Sequence, residues 1–253
     1  MLKIYPQEAK AKNSYPQLWP PWGFVDIVAI LIFIFLFSVF FSVFGLDLAN
    51  WVLSCFPGIG SIEVAVAVTG GFLQGILMVI FVLAAASMKK APLTALGFDN
   101  FDWRSLFVYG IVGGMGVFLL VTVIMAIIIS LFPQPPQPQP IAEIILNARG
   151  WGQILPLLLL VSVIAPLSEE LFFRGFIYPV LRSRFGVAWG ITATACFFSL
   201  IHFDLIRFIP LALGGACLTF FCEKSKSLYP AIAAHSMWNT VMTLFIIYYN
   251  IAL

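Results

Sequence analysis

Residues 151–186 read WGQILPLLLLVSVIAPLSEELFFRGFIYPVLRSRFG. Crossing the hydrocarbon core of a bilayer takes about 20 apolar residues, and this run is long enough to do so. Glu169, Glu170 and Arg174 nevertheless stand in its middle. An ionised side chain at that depth costs a few kcal/mol on insertion scales, so three together mark a functional hypothesis. Glu170 and Arg174 are four residues apart on one helical face, the spacing at which a carboxylate and a guanidinium pair. Glu169 lies about 100° round the helix from Glu170 and keeps its carboxylate for another use.

Working outward, the rest of the chain has the same solvent preference. Of 253 residues, 62% are hydrophobic and 9% charged, against roughly a quarter charged in a soluble domain. Apolar runs between charges and prolines predict spans at about 24–44, 62–86, 106–132, 152–182, 187–203, 208–222 and 231–250. The expected fold is an all-α polytopic bundle of about seven transmembrane helices, with eight as the alternative count. A net charge of +2, with its basic residues in short clusters, gives no stripe for nucleic acid. Cys55, Cys196, Cys217 and Cys222 form no CxxC pair and read as packed thiols.

The basic clusters predict orientation, because cytoplasmic loops hold an excess of Lys and Arg. With the N-terminus inside, Lys3, Lys10, Lys12, Lys89, Lys90, Arg104, Arg182, Arg184, Lys224 and Lys226 fall on the inner side, whereas Arg149 and Arg207 fall outside. This predicts a cytoplasmic N-terminus and a multi-pass protein of a bacterial-type inner membrane. The polar, proline-punctuated start of the chain does not read as a cleavable signal peptide. PQPPQPQP at 133–140 reads as a stiff, non-helical connector. It divides a three-span region, 1–132, from a four-span region, 151–253, with the extracytoplasmic connector 133–150 between them. Gly71/Gly75, Gly110/Gly114 and Gly186/Gly190 have the spacing for close helix packing and are assigned to it.

Both histidines of the protein lie in the second region, His202 ending the fifth span and His235 in the seventh, with Asn239 one turn beyond His235. In an antiparallel hairpin turning at Arg182–Gly186, Glu169 and His202 come level. His235 joins them only if the fourth span projects or breaks near Gly175 and Pro179, which predicts a site nearer the arginine-rich face. A carboxylate beside an imidazole can hold and deprotonate a water, and a second imidazole with an amide can stabilise an oxyanion. Those are the parts of a hydrolase without a serine nucleophile. Ser168, Ser199 and Ser236 read as hydroxyls bonded back to their own helices. Phe198 reads as packing, Asp26 as interfacial, and Asp204 and Arg207 as solvated loop charges.

EELFFRG (169–175), FSLIH (198–202) and HSMWN (235–239) together resemble the three motifs of the CPBP or Abi family, which comprises CAAX prenyl proteases and bacteriocin-processing enzymes. The resemblance covers the stretch from Pro166 to Val241. It implies that Glu169 and His202 activate the water, that His235 and Asn239 bind the oxyanion, and that Glu170 and Arg174 support the geometry. The implied substrate is a lipid-modified or membrane-associated peptide or protein, such as a prenylated one, with the bilayer as the other partner and no nucleic acid. No cofactor is favoured, with zinc or another divalent metal as the alternative. Rival readings are a proton- or ion-coupled transporter and a catalytically silent immunity or scaffold protein of the same family. No inverted repeat relates the two halves, which counts against a transporter.

Overall fold

The computed structural model describes residues 19–252 apart from Asn100 and Pro135. The N-terminal segment 1–18, with the three lysines that contribute to the orientation argument, lies outside the described residues. Eight helices and no strand are found among the described residues: α1 (Phe24–Cys55), α2 (Ile62–Met88), α3 (Trp103–Ser130), α4 (Pro140–Asn147), α5 (151–185), α6 (187–200), α7 (Phe208–Ser225) and α8 (Tyr229–Ala252). All but α4 follow the seven apolar runs, and the protein is an integral membrane protein.

Helix ends are set by local chemistry. Ser61 caps α2 by accepting from the Val64 N–H, and Asp102 caps α3 by accepting from Arg104 and Ser105. Asp26 receives the Gly23 N–H at the start of α1 and pairs with Lys89 at 3.4 Å. Between α5 and α6 the chain turns at Gly186, whose φ of 78° and ψ of 177° suit a residue without a Cβ. An added Cβ there would meet nothing within 4 Å, so Gly186 serves the backbone turn and not helix packing. The packing assignment holds for Gly71 and Gly75, which abut Leu160 and Ile164 of α5, and for Gly110 and Gly114, which abut Ala233 and Ala234 of α8.

Residues 133–134 and 136–139 are non-helical as expected, and helix begins only at the end of the proline run. Its last proline, Pro140, occupies the first helical position of α4, where its missing N–H would have had no partner anyway. α4 buries Ile145 against α2 and α8 and carries the connector across the bundle.

α5 is the axis of the fold. Every residue from Glu170 to Val180 is buried, so this stretch is surrounded by protein where α1, for example, faces lipid along most of its length. Phe172, Phe173, Phe176 and Ile177 fill the core with Leu96, Val82 and Leu228. Trp22 stacks on Phe176 at 4.9 Å and donates its indole N–H to the Phe176 carbonyl at 2.8 Å. The helix does not break near Gly175 or Pro179. It carries two π-helical segments, Leu160–Ile164 and Leu171–Ile177, each ending two residues before a proline. A proline ring in an α-helix clashes with the carbonyl four residues back, and the wider π turn relieves that crowding. Beyond the second segment, Tyr178 and Arg182 both bond Glu223 of α7, at 2.8 and 2.9 Å, and this tie closes the arginine-rich side.

Gly186→Ala is expected to lower stability by about 1–3 kcal/mol, through backbone conformation alone. Gly116, which is helical and also has open space at its Cβ, is the control: Gly116→Ala should be neutral or stabilising by up to about 1 kcal/mol. Equal losses in unfolding measurements would show that the Gly186 backbone is not the cause.

Candidate active site

Arg174 and Glu170 are both fully buried and joined by a 2.7 Å ion pair. The guanidinium also donates to α7, with Nη2 on the Gly215 carbonyl at 2.9 Å and Nε on the Thr219 hydroxyl at 3.2 Å. Its flat face lies over the Phe198 ring of α6, 4.8 Å from the centroid. The same Glu170 oxygen is 2.7 Å from Nδ1 of His235 on α8. One buried carboxylate thus ties α5, α7 and α8 together.

The pairing fixes the orientation of the ring: with Nδ1 of His235 turned to Glu170, Nε2 faces the cavity. Nε2 lies 3.9 Å from the Glu169 carboxylate, which is partly exposed to the cavity. That separation is too long for a direct hydrogen bond, and one water can bridge the two groups. Trp238 stacks on the imidazole at 5.6 Å.

His202 reaches the same cavity from the end of α6. There the His202 N–H turns to the Ser199 carbonyl, leaving the Phe198 carbonyl without a backbone donor, and the His202 ring supplies one through Nδ1 at 2.7 Å. A carbonyl only accepts, so this ring is protonated at Nδ1 and presents Nε2. The Phe198 ring stands between the two imidazoles, 4.8 Å from His202 and 5.9 Å from His235. Phe198 packs as expected, and it also spaces the site.

Asn239 has a partner that spacing alone does not suggest. In the first π segment Ala165 donates to the Leu160 carbonyl, and Pro166 has no N–H, so the Val161 carbonyl lacks its usual helical donors. The Asn239 amide donates to it at 2.8 Å. The second N–H of the same amide remains, and Asn239 lines the cavity. Ser168, by contrast, is bonded back to the Ile164 and Ala165 carbonyls at 2.9 and 3.0 Å.

These groups line one cavity of about 880 Å³, whose walls are otherwise largely apolar, including Met78, Met125, Leu160 and Leu211. Glu169, His202, His235 and Asn239 are brought together in it, with Glu170 and Arg174 behind His235. The roof is the connector, through Pro138–Ala142, and Asp204 and Arg207 flank it. The cavity therefore faces the connector side, and the expectation of a site nearer the arginine-rich face is not met.

Asp204 and Arg207 are not merely solvated charges. They pair with each other, and Arg207 Nη2 bonds the Gln137 carbonyl at 2.6 Å, clasping the connector over the cavity. Partial burial alone would raise the Asp204 carboxyl, but hydrogen bonds from Arg207 outweigh it and hold the carboxyl below its ordinary range.

Two imidazoles with their Nδ1 atoms engaged are familiar as zinc ligands. Among the described residues, however, no three His, Cys, Asp or Glu side chains converge closely enough to hold an ion. As placed they do not fit a zinc site with three protein ligands, and no step below runs through a metal.

With this geometry in hand, comparison with known proteins is informative. Residues 151–241 match the family described as type II CAAX prenyl endopeptidase Rce1-like. The chain is also 27% identical over 93 residues to a Bacillus subtilis (strain 168) protein named "Putative membrane peptidase YdiL"; the match spans 36% of this chain and 38% of that protein. No solved structure matches the chain significantly.

Two outcomes test this description. Arg174→Met strands the buried Glu170 charge and should cost about 3–5 kcal/mol, whereas Arg174→Met combined with Glu170→Leu should recover much of the loss; additive losses in detergent unfolding would mean the pair is not coupled. Because the folded Asp204 carboxyl titrates below 3.8, the clasp should be fully present above that pH and lost only as pH falls further. Hydrogen exchange of the connector amides should thus stay protected down to that range in the wild type, and rise at neutral pH in Asp204→Asn.

Proposed function

We propose that this protein is an intramembrane endopeptidase that cleaves a peptide bond of a lipid-modified or membrane-associated peptide or protein, using a water activated by Glu169 and His202. The observation that carries the reading is the 3.9 Å approach of the Glu169 carboxylate to His235 Nε2 inside the cavity, with Nδ1 of that ring anchored on a buried carboxylate.

In the proposed reaction the water donates to Glu169 and to an imidazole Nε2, and its oxygen attacks the scissile carbonyl as one proton leaves for these bases. The remaining N–H of Asn239 faces the oxyanion that forms. His235, with Nδ1 held by Glu170, supplies the second donor to the oxyanion through Nε2–H. Collapse of the tetrahedral intermediate breaks the C–N bond, and the proton returns to the leaving amine. Water is thereby divided between the new carboxylate and the new amine. Glu170 and Arg174 act through His235, as positioning residues. The apolar walls suit a substrate segment that is itself at home in the membrane.

A transporter would need a polar route beyond the site. Towards the arginine-rich side the path is filled by Phe172, Phe173, Phe176 and Ile177, each with 2% exposure or less, and this plug favours the peptidase. A scaffold role would not need the anchored rings of two histidines.

Cleavage of membrane-anchored peptides by purified protein tests the proposal. Glu169→Gln and His202→Ala should each lower kcat by about 10²–10⁴-fold, and Ser168→Ala should stay within a few-fold of wild type. Equal turnover in wild type, Glu169→Gln and His202→Ala would sink it, and ion flux in liposomes abolished by the same variants would favour the transporter.

A further inference from the structure

The turn that follows His202 has a feature the proposed chemistry does not use. Phe203 and Leu205 are 93% and 86% exposed, the most exposed of the large apolar side chains. Phe203 is held at φ +51°, a left-handed conformation that a bulky side chain seldom adopts. The result is that both side chains point away from the bundle, beside the cavity that Phe203 also borders. The two charges of the turn, Asp204 and Arg207, cancel in their own ion pair.

The level of this turn is shared by other exposed apolar side chains. Phe56 at the end of α1, Leu131 at the end of α3 and Trp151 at the start of α5 are 62%, 76% and 72% exposed, and all stand at the connector-side helix ends. Aromatic and apolar residues at that position make up the belt where a membrane protein meets the boundary between headgroups and acyl chains. Phe203 and Leu205 continue that lipid-facing surface, and a locally neutral turn can enter the boundary without bringing a net charge.

We propose that the 203–205 turn is seated in the bilayer leaflet on the connector side, with lipid at the headgroup–acyl boundary covering Phe203 and Leu205. The mouth of the cavity then opens at the level of the leaflet, and a substrate segment reaches His202 and Glu169 sideways from the lipid. The seating itself does not depend on the peptidase reading, and its test involves no turnover.

Single spin labels at Phe203→Cys and Leu205→Cys, in full-length protein with Cys55, Cys196 and Cys217 replaced by Ala, test it in phosphatidylcholine–phosphatidylglycerol vesicles. Cys222 is fully buried and can stay, which spares the core. Power saturation compares collisions with oxygen, which concentrates in lipid, against a neutral nickel chelate, which stays in water; Asn147→Cys on α4 calibrates the aqueous value. Collision with oxygen should exceed that with nickel several-fold at both 203 and 205. Nickel dominance at either position, near the Asn147 value, would overturn the seating of the turn.

Discussion

A guanidinium and a carboxylate with no exposure to solvent hold this bundle together. Burying either charge alone would be prohibitive, so Arg174 and Glu170 occupy the centre of α5 as a pair. Arg174 reaches Gly215 and Thr219 on α7, and Glu170 reaches His235 on α8. The pair thus determines which faces of three helices meet. It also sets the orientation of the imidazole that faces the cavity, so fold and proposed chemistry share one constraint.

Proline acts as the second organiser. Pro166 removes a donor from α5, the π turn ahead of it shifts the hydrogen-bond register, and the carbonyl left over receives Asn239. The residue that the family resemblance assigns to the oxyanion is therefore also a clamp between α5 and α8. One of its N–H groups is committed to the backbone, and the position of the other follows from that commitment. Pro140 plays a comparable part by starting α4, which brings the connector over the cavity.

Much of this was legible in the sequence. The spans follow from apolar length, the hairpin turn from Arg182–Gly186, and the grouping of Glu169, His202, His235 and Asn239 from the rarity of such groups in apolar runs. Depth was not legible, because nothing in the residue spacing shows that residues 138–142 of the connector fold over the cavity. The connector was misread where proline was taken only as a helix breaker, although Pro140 is a helix starter. Gly186 has the spacing of a packing glycine and the backbone of a turn, and spacing cannot tell these apart. Asp204 and Arg207 look like any loop charges until Gln137 is seen beside them, 70 residues away in the chain.

The central claim is direct hydrolysis by an enzyme-held water, without an acyl-enzyme. Incubating the purified protein with a membrane-anchored peptide in ¹⁸O-water containing hydroxylamine tests it most directly. The account predicts a new C-terminal carboxylate carrying one ¹⁸O atom and no hydroxamate, because no acyl intermediate exists to be intercepted. A hydroxamate product that disappears in a serine or cysteine variant would contradict it.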